Sequence, residues 1–223
     1  MKFLFQILYE KLCRVYSELI TITECFFLRE NLKEKNVLDK DGYIKIQKNL
    51  NLNKSKKVFD IVISTRNKSF FINKYHKRTI LSKDNLKEFI DLVFDEKFCN
   101  FLTFQTGFKY SIDFFGAYEN LPIPENERNI CWYANHYHLD KPNSQNMLKI
   151  FLPISNISIN DGPLEVLSIN QTKQYFYTKK SSDEFIKNYF VGDLGDMFLC
   201  KLNLCLHKAG IPAKKRSTRL IML

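Results

Sequence analysis

The first thirty residues carry their polar positions on one helical stripe. Lys2, Gln6, Glu10, Arg14, Ser17, Glu18 and Thr21 line it, and the other positions are largely apolar. That pattern predicts a helix whose wide apolar face packs on a core and not on lipid. A second helix is predicted over 82–102. Ser82 is its N-cap, and Leu86, Phe89, Ile90, Val93 and Phe94 keep helical spacing. Within 38–47, Asp41-Gly42 makes a turn and Tyr43, Ile44 and Ile46 a strand. The run VFDIVIST, 58–65, fits helix or strand.

After residue 100 the pattern changes. Short apolar segments alternate with turns at 101–106, 110–118, 130–139, 147–154, 163–167, 196–206 and 218–223. Such spacing builds a sandwich or barrel. A chain of 223 residues suffices for one domain with a sizeable core and is short for two. The expectation is one domain over 1–223, mainly β with flanking helices. Residues 1–100 would form a mostly helical support, and 101–223 most of the β core.

Charge adds a competing possibility. Lysine and arginine total 34 against 24 acidic residues, a net charge of +10. A basic excess suits nucleic acid, an anionic membrane surface or an acidic substrate. Here the excess is mostly lysine, with only seven arginines, and reads as a solvated lysine surface. No basic-aromatic patch or nucleic-acid motif accompanies it, so no specific nucleic-acid partner is expected. The six cysteines form no C-x-x-C pair and read as free thiols in a reducing compartment. No run spans a membrane, and MKFLFQILYEK lacks the features of a signal peptide, which points to the cytoplasm.

The stretch NHYHLDKPNSQN, 135–146, holds two of the four histidines. Residues two apart on a strand share a face, so His136, His138 and Asp140 would project together. His-x-Asp presents an imidazole nitrogen and a carboxylate oxygen to one ion. A second histidine would complete the two-histidine, one-carboxylate triad of non-haem Fe(II) oxygenases. His207, in NLCLHKAG, is the better candidate, since His76 lies among basic residues in NKYHKR. A cupin-type site on His136 and His138 ranks lower, because no glutamate follows in LDKPNSQN. A pair of ordinary strand histidines is the plain alternative.

The neighbouring segments carry a resemblance. WYANHYHLD is followed by MLKIFLPIS, NDGPLEVL, GDLGDMFLCKLNLCLHKAG and a terminal TRLIML, with DGYIKI upstream. In this order the chain resembles the phytanoyl-CoA dioxygenase-like family of Fe(II)/2-oxoglutarate oxygenases, from about residue 38 onwards. The resemblance implies a double-stranded β-helix, a cupin-like jelly roll, with N-terminal helices on the outside of one sheet. It implies Fe(II) held by His138, Asp140 and His207, with 2-oxoglutarate as cosubstrate. It also implies an arginine some eleven residues past the distal histidine for the cosubstrate's tail carboxylate.

The chain departs from the family at that arginine. Arg216 lies nine residues past His207 and Arg219 twelve. Arg219, expected on the final strand where the sheet fixes its direction, is the expected clamp for the cosubstrate carboxylate, and Arg216, in the loop before it, is the lesser candidate. SINQTKQ replaces a proline-glycine-serine-histidine stretch, and Ala209 stands where serine is common. Asn135 occupies the place of a polar residue that accompanies the motif and is a further candidate for binding the cofactor. Trp132 and His136 should share the metal-facing side and are weak candidates for substrate contact. Lys149, in MLKIFLP, either salt-bridges the cosubstrate or is a solvated strand lysine, and the second reading is preferred; Gly162 and Gly195 read as turn glycines.

The expected function is hydroxylation of an unactivated C–H of a small molecule. Dioxygen would be consumed, and 2-oxoglutarate converted to succinate and carbon dioxide. The alternatives are a basic, non-catalytic binding module for an anionic partner, and a metal-binding pseudo-enzyme on the same fold.

Overall fold

The structure is a computed structural model that describes residues 37–48, 50–64, 69–141, 146–178 and 180–222. The expected helix over 1–30 lies outside the described residues. Among them the order is α1 (Val37–Lys40), β1 (Tyr43–Ile46), α2 (Leu52–Ser64), β2 (Ser69–Asn73), β3 (His76–Thr79), α3 (Lys83–Val93), α4 (Glu96–Thr106) and β4 (Gly116–Asn120). There follow β5 (Lys149–Pro153), β6 (Leu164–Val166), α5 (Ile169–Tyr177), β7 (Asn188–Tyr189), β8 (Met197–Cys200), β9 (His207–Ala209) and β10 (Thr218–Met222). A seven-stranded sheet has the order β1-β8-β5-β10-β4-β3-β2, and a three-stranded sheet the order β7-β6-β9. The paired strands are antiparallel. This is the expected mainly β jelly roll with helices against one sheet.

The two faces of the large sheet follow from its register. Ile44, Leu199 and Ile150 form one cross-strand row, and Leu152, Ile221 and Ala117 another. Both rows pack in one core with Val58, Val62, Phe89, Val93, Phe98 and Leu102 of the helices. The alternate rows, Tyr43–Cys200–Lys149 and Phe198–Phe151–Met222, face the other way. On that side Phe151, Phe198 and Cys200 share a second core with Val166 of the small sheet. Side chains alternate across a strand, so the register assigns the residues of β1, β8, β5 and β10 to the helices or to the space between the sheets.

Several local expectations change. The run 82–102 is two helices, because Asp95 caps a new one by accepting from the Phe98 N–H at 2.9 Å. The segment 101–106, expected as a strand, closes that helix and ends at Gly107 in the left-handed region (φ 76°). The 58–65 run resolves as helix through residue 64. Ser82 caps α3 as expected, accepting from the Asn85 N–H. Of 130–139, only His138 makes a strand-like bridge, to His207. No helix among the described residues is long and apolar enough to cross a membrane.

Candidate metal centre

His207 is aimed by the small sheet. It pairs with Val166, and directly paired residues share a face. Val166 belongs to the core between the sheets, so His207 points there too and is nearly fully buried. The adjacent pair, Glu165 and Lys208, takes the opposite face, where Tyr137 donates to Glu165 and lies under the Lys208 ammonium. His138 joins the far side of β9. Its N–H donates to the His207 carbonyl at 2.9 Å, and the His207 N–H donates back at 3.1 Å. This reciprocal pair places the two imidazoles together, with ring centres 4.3 Å apart. Asp140 is fixed by its own N–H, which donates to Leu202 O at 3.1 Å.

The ring orientations are set the same way. His138 Nδ1 lies 2.8 Å from the His136 carbonyl, and His207 Nδ1 lies 2.9 Å from the Cys205 carbonyl. A carbonyl only accepts, so each Nδ1 carries a proton, and in the neutral ring the lone pair lies on Nε2. Both Nε2 atoms look at one carboxylate oxygen: Asp140 Oδ1 is 3.7 Å from that of His138 and 3.8 Å from that of His207. These separations are too long for hydrogen bonds. The three donor atoms lie within 4.8 Å of one another, a spread close to that needed by ligands about 2.1 Å from a common ion. Burial, the largest influence, drives the His207 pKa down to about 4, against the raising effects of the Cys205 carbonyl and Asp140. The imidazole is therefore neutral at pH 7, the form that binds metal. The donor set fits a divalent transition metal with coordination positions left open.

Glycine-only positions tie this region to the rest of the fold. Gly42 has φ +85°, and a Cβ there would run into Cys205 Sγ and Ile169. Gly162 and Gly210 cross so closely that a Cβ on Gly162 would lie 2.5 Å from Pro212 N. The first contact braces the carbonyl that orients His207, and the second the chain just past β9.

The other candidates are placed elsewhere. His136 is exposed, and its carbonyl rather than its ring serves the site. Trp132 packs edge-on to Tyr75 with ring centres 5.3 Å apart. Asn135 is buried; its Oδ1 accepts from the Trp132 and Tyr133 N–H groups and its Nδ2 donates to Ile130 O, clipping its own loop. Arg216 is in the loop and largely exposed, 3.6 Å from Asp161. Arg219 is on the final strand, as expected. Its parity is that of Ile221, which packs on the helices, and its Nε donates to Glu119 Oε1 at 2.9 Å. Burial raises the Glu119 pKa, but the Arg219 bond and neighbouring charges outweigh it and hold the carboxyl below its usual range.

One residue gains importance. Lys149 shares the inner row of the large sheet with Cys200, and its Nζ lies 2.7 Å from Asp140 Oδ2. Lys-x-Phe at the head of an apolar strand was the available signal, but the sequence leaves the strand's facing open.

No protein-family model and no curated protein matches this sequence. Solved structures do match. A non-haem α-ketoglutarate-dependent carbocyclase, SnoK from nogalamycin biosynthesis, matches with TM-score 0.60 at 8% identity, covering 87% of this chain and 83% of that one. HygX from Streptomyces hygroscopicus, solved with nickel, 2-oxoglutarate and hygromycin B, matches with TM-score 0.58 at 10% identity, covering 86% and 85%. The epimerase SnoN, also α-ketoglutarate-dependent, matches with TM-score 0.56 at 10% identity, covering 83% and 77%. The chain has the 2-oxoglutarate oxygenase fold. At these identities the likeness is one of fold, and enzymes of that fold include an epimerase and a carbocyclase.

Proposed function

We propose that this protein is an Fe(II)- and 2-oxoglutarate-dependent oxygenase acting on an unactivated C–H of a small molecule. The reading rests on one observation: two imidazole Nε2 atoms and one carboxylate oxygen converge with no hydrogen bonds among them. In this reading His138, Asp140 and His207 hold the metal. The iron would supply dioxygen activation, coupled to decarboxylation of 2-oxoglutarate to succinate and carbon dioxide. The chain's own contribution is orientation. The His136 and Cys205 carbonyls hold the imidazoles, and the apolar space around Phe151, Phe198 and Val166 excludes water. Hydroxylation is the proposed outcome.

The test is anaerobic addition of Fe(II) and 2-oxoglutarate, followed by visible spectroscopy. A weak charge-transfer band is expected in the wild type. It should vanish in His207→Ala, whose circular dichroism should stay native. A His207→Ala protein with an undiminished band would refute the ligand assignment.

A further inference from the structure

Lys149 poses an electrostatic problem that the metal would sharpen. Its ammonium is 2.7 Å from Asp140 Oδ2, on a side chain 23% exposed. That oxygen is buried and receives no aligned hydrogen bond, so the contact is one of charge and not a directional lock. Lys149 and Asp140 cancel each other. A divalent ion would then leave two uncompensated positive charges beside Phe151 and Cys200, in a partly buried space where such charge is costly. A dianion entering with the ion removes the excess.

The two candidate arginines are committed elsewhere. Arg219 points to the helix face and bonds Glu119, and Arg216 sits in an exposed loop beside Asp161. Lys149, by contrast, faces the same space as the triad.

Resting on the oxygenase reading, we propose that Lys149 is the cationic anchor for a carboxylate of the 2-oxo acid. Metal and dianion then bind as a coupled pair. Lys149 selects for a doubly charged cosubstrate because its own charge opposes the metal alone. Coupling of this kind is reciprocal, so it can be read from metal affinity without turnover.

The experiment titrates the full chain with Mn(II), following the free ion by electron paramagnetic resonance, with and without 2-oxoglutarate. In the wild type, 2-oxoglutarate should tighten Mn(II) binding by about tenfold or more. In Lys149→Met, Mn(II) alone should bind at least as tightly as in the wild type, and the tightening should fall below about threefold. Lys149→Gln gives the same reading should the apolar variant not fold. Lys149→Arg should retain the coupling, and so should Arg219→Ala. Full coupling in a folded neutral variant overturns the proposal. So does its loss in Arg219→Ala, or failure of a folded neutral variant to bind Mn(II). No effect of 2-oxoglutarate on the wild type would instead sink the oxygenase reading itself.

Discussion

At the scale of single residues, the site depends on keeping His207 neutral. Its folded pKa is about 4, against 6.5 for a free imidazole. Between those values the unfolded chain binds a proton that the folded chain refuses. Stability therefore rises with pH across this window: it is fully present above about 6.5 and is lost as pH falls toward 4. The shift corresponds to about 3 kcal/mol. Urea denaturation of chelator-treated protein from pH 7 to 4.5 should show this loss, and His207→Gln should show a shallower one. His76, whose pKa burial also lowers, adds a slope of the same sign, so the difference between the two proteins is the measurement. Equal slopes would mean that His207 does not carry the effect. Arg219→Ala offers a contrast. Its partner Glu119 lies on the helix face, so the expected result is a stability loss of about 1 kcal/mol or less with unchanged Mn(II) binding.

At the scale of elements, the legible parts of the sequence were those with a chemical marker. His138 and Asp140 could be paired because histidine is scarce and their spacing is two. Ser82 announced α3 through its capping oxygen. The run 101–106 folds as helix and not strand: a short apolar stretch carries no helix or strand label, and its deciding residues, Asp95 and Gly107, lie outside it. The β2–β3 hairpin leaves no mark in the sequence for another reason. Phe70, Phe71 and Ile72 are exposed at the sheet edge, and β3 reads His-Lys-Arg-Thr, so neither strand shows alternating burial. The facing of Lys149 and Arg219 depends on register, where a slip of one residue reverses every side chain. The turn before β1 gives an element-scale test. Gly42→Ala must place a Cβ at positive φ against Cys205 and Ile169. A loss of about 2–4 kcal/mol in denaturation midpoint analysis is expected. A loss below about 0.5 kcal/mol would show that the Gly42–Cys205 contact yields readily.

At the scale of the whole molecule, the remaining issue is the charge of +10. A nucleic-acid surface needs cations free to face phosphates. Many cations here have an acidic neighbour instead. Lys45 lies beside Asp196, Lys54 beside Asp95, Lys74 beside Glu127, Lys187 beside Asp183 and Lys208 beside Glu165. These pairs sit on helices and on both sheets, so at these places the lysines already face carboxylates. Each phosphate contact contributes close to one power of salt concentration to the affinity, and a diffuse surface makes few contacts at once. Duplex DNA and single-stranded RNA should therefore bind weakly at low salt, without sequence preference, and dissociate by about 150 mM salt. Fluorescence anisotropy across a salt series measures this. A micromolar complex that persists at 150 mM would favour the anion-binding module over the oxygenase. The same salt series applied to Mn(II) and 2-oxoglutarate separates the two further, since a partly buried charge pair is screened far less than an exposed surface.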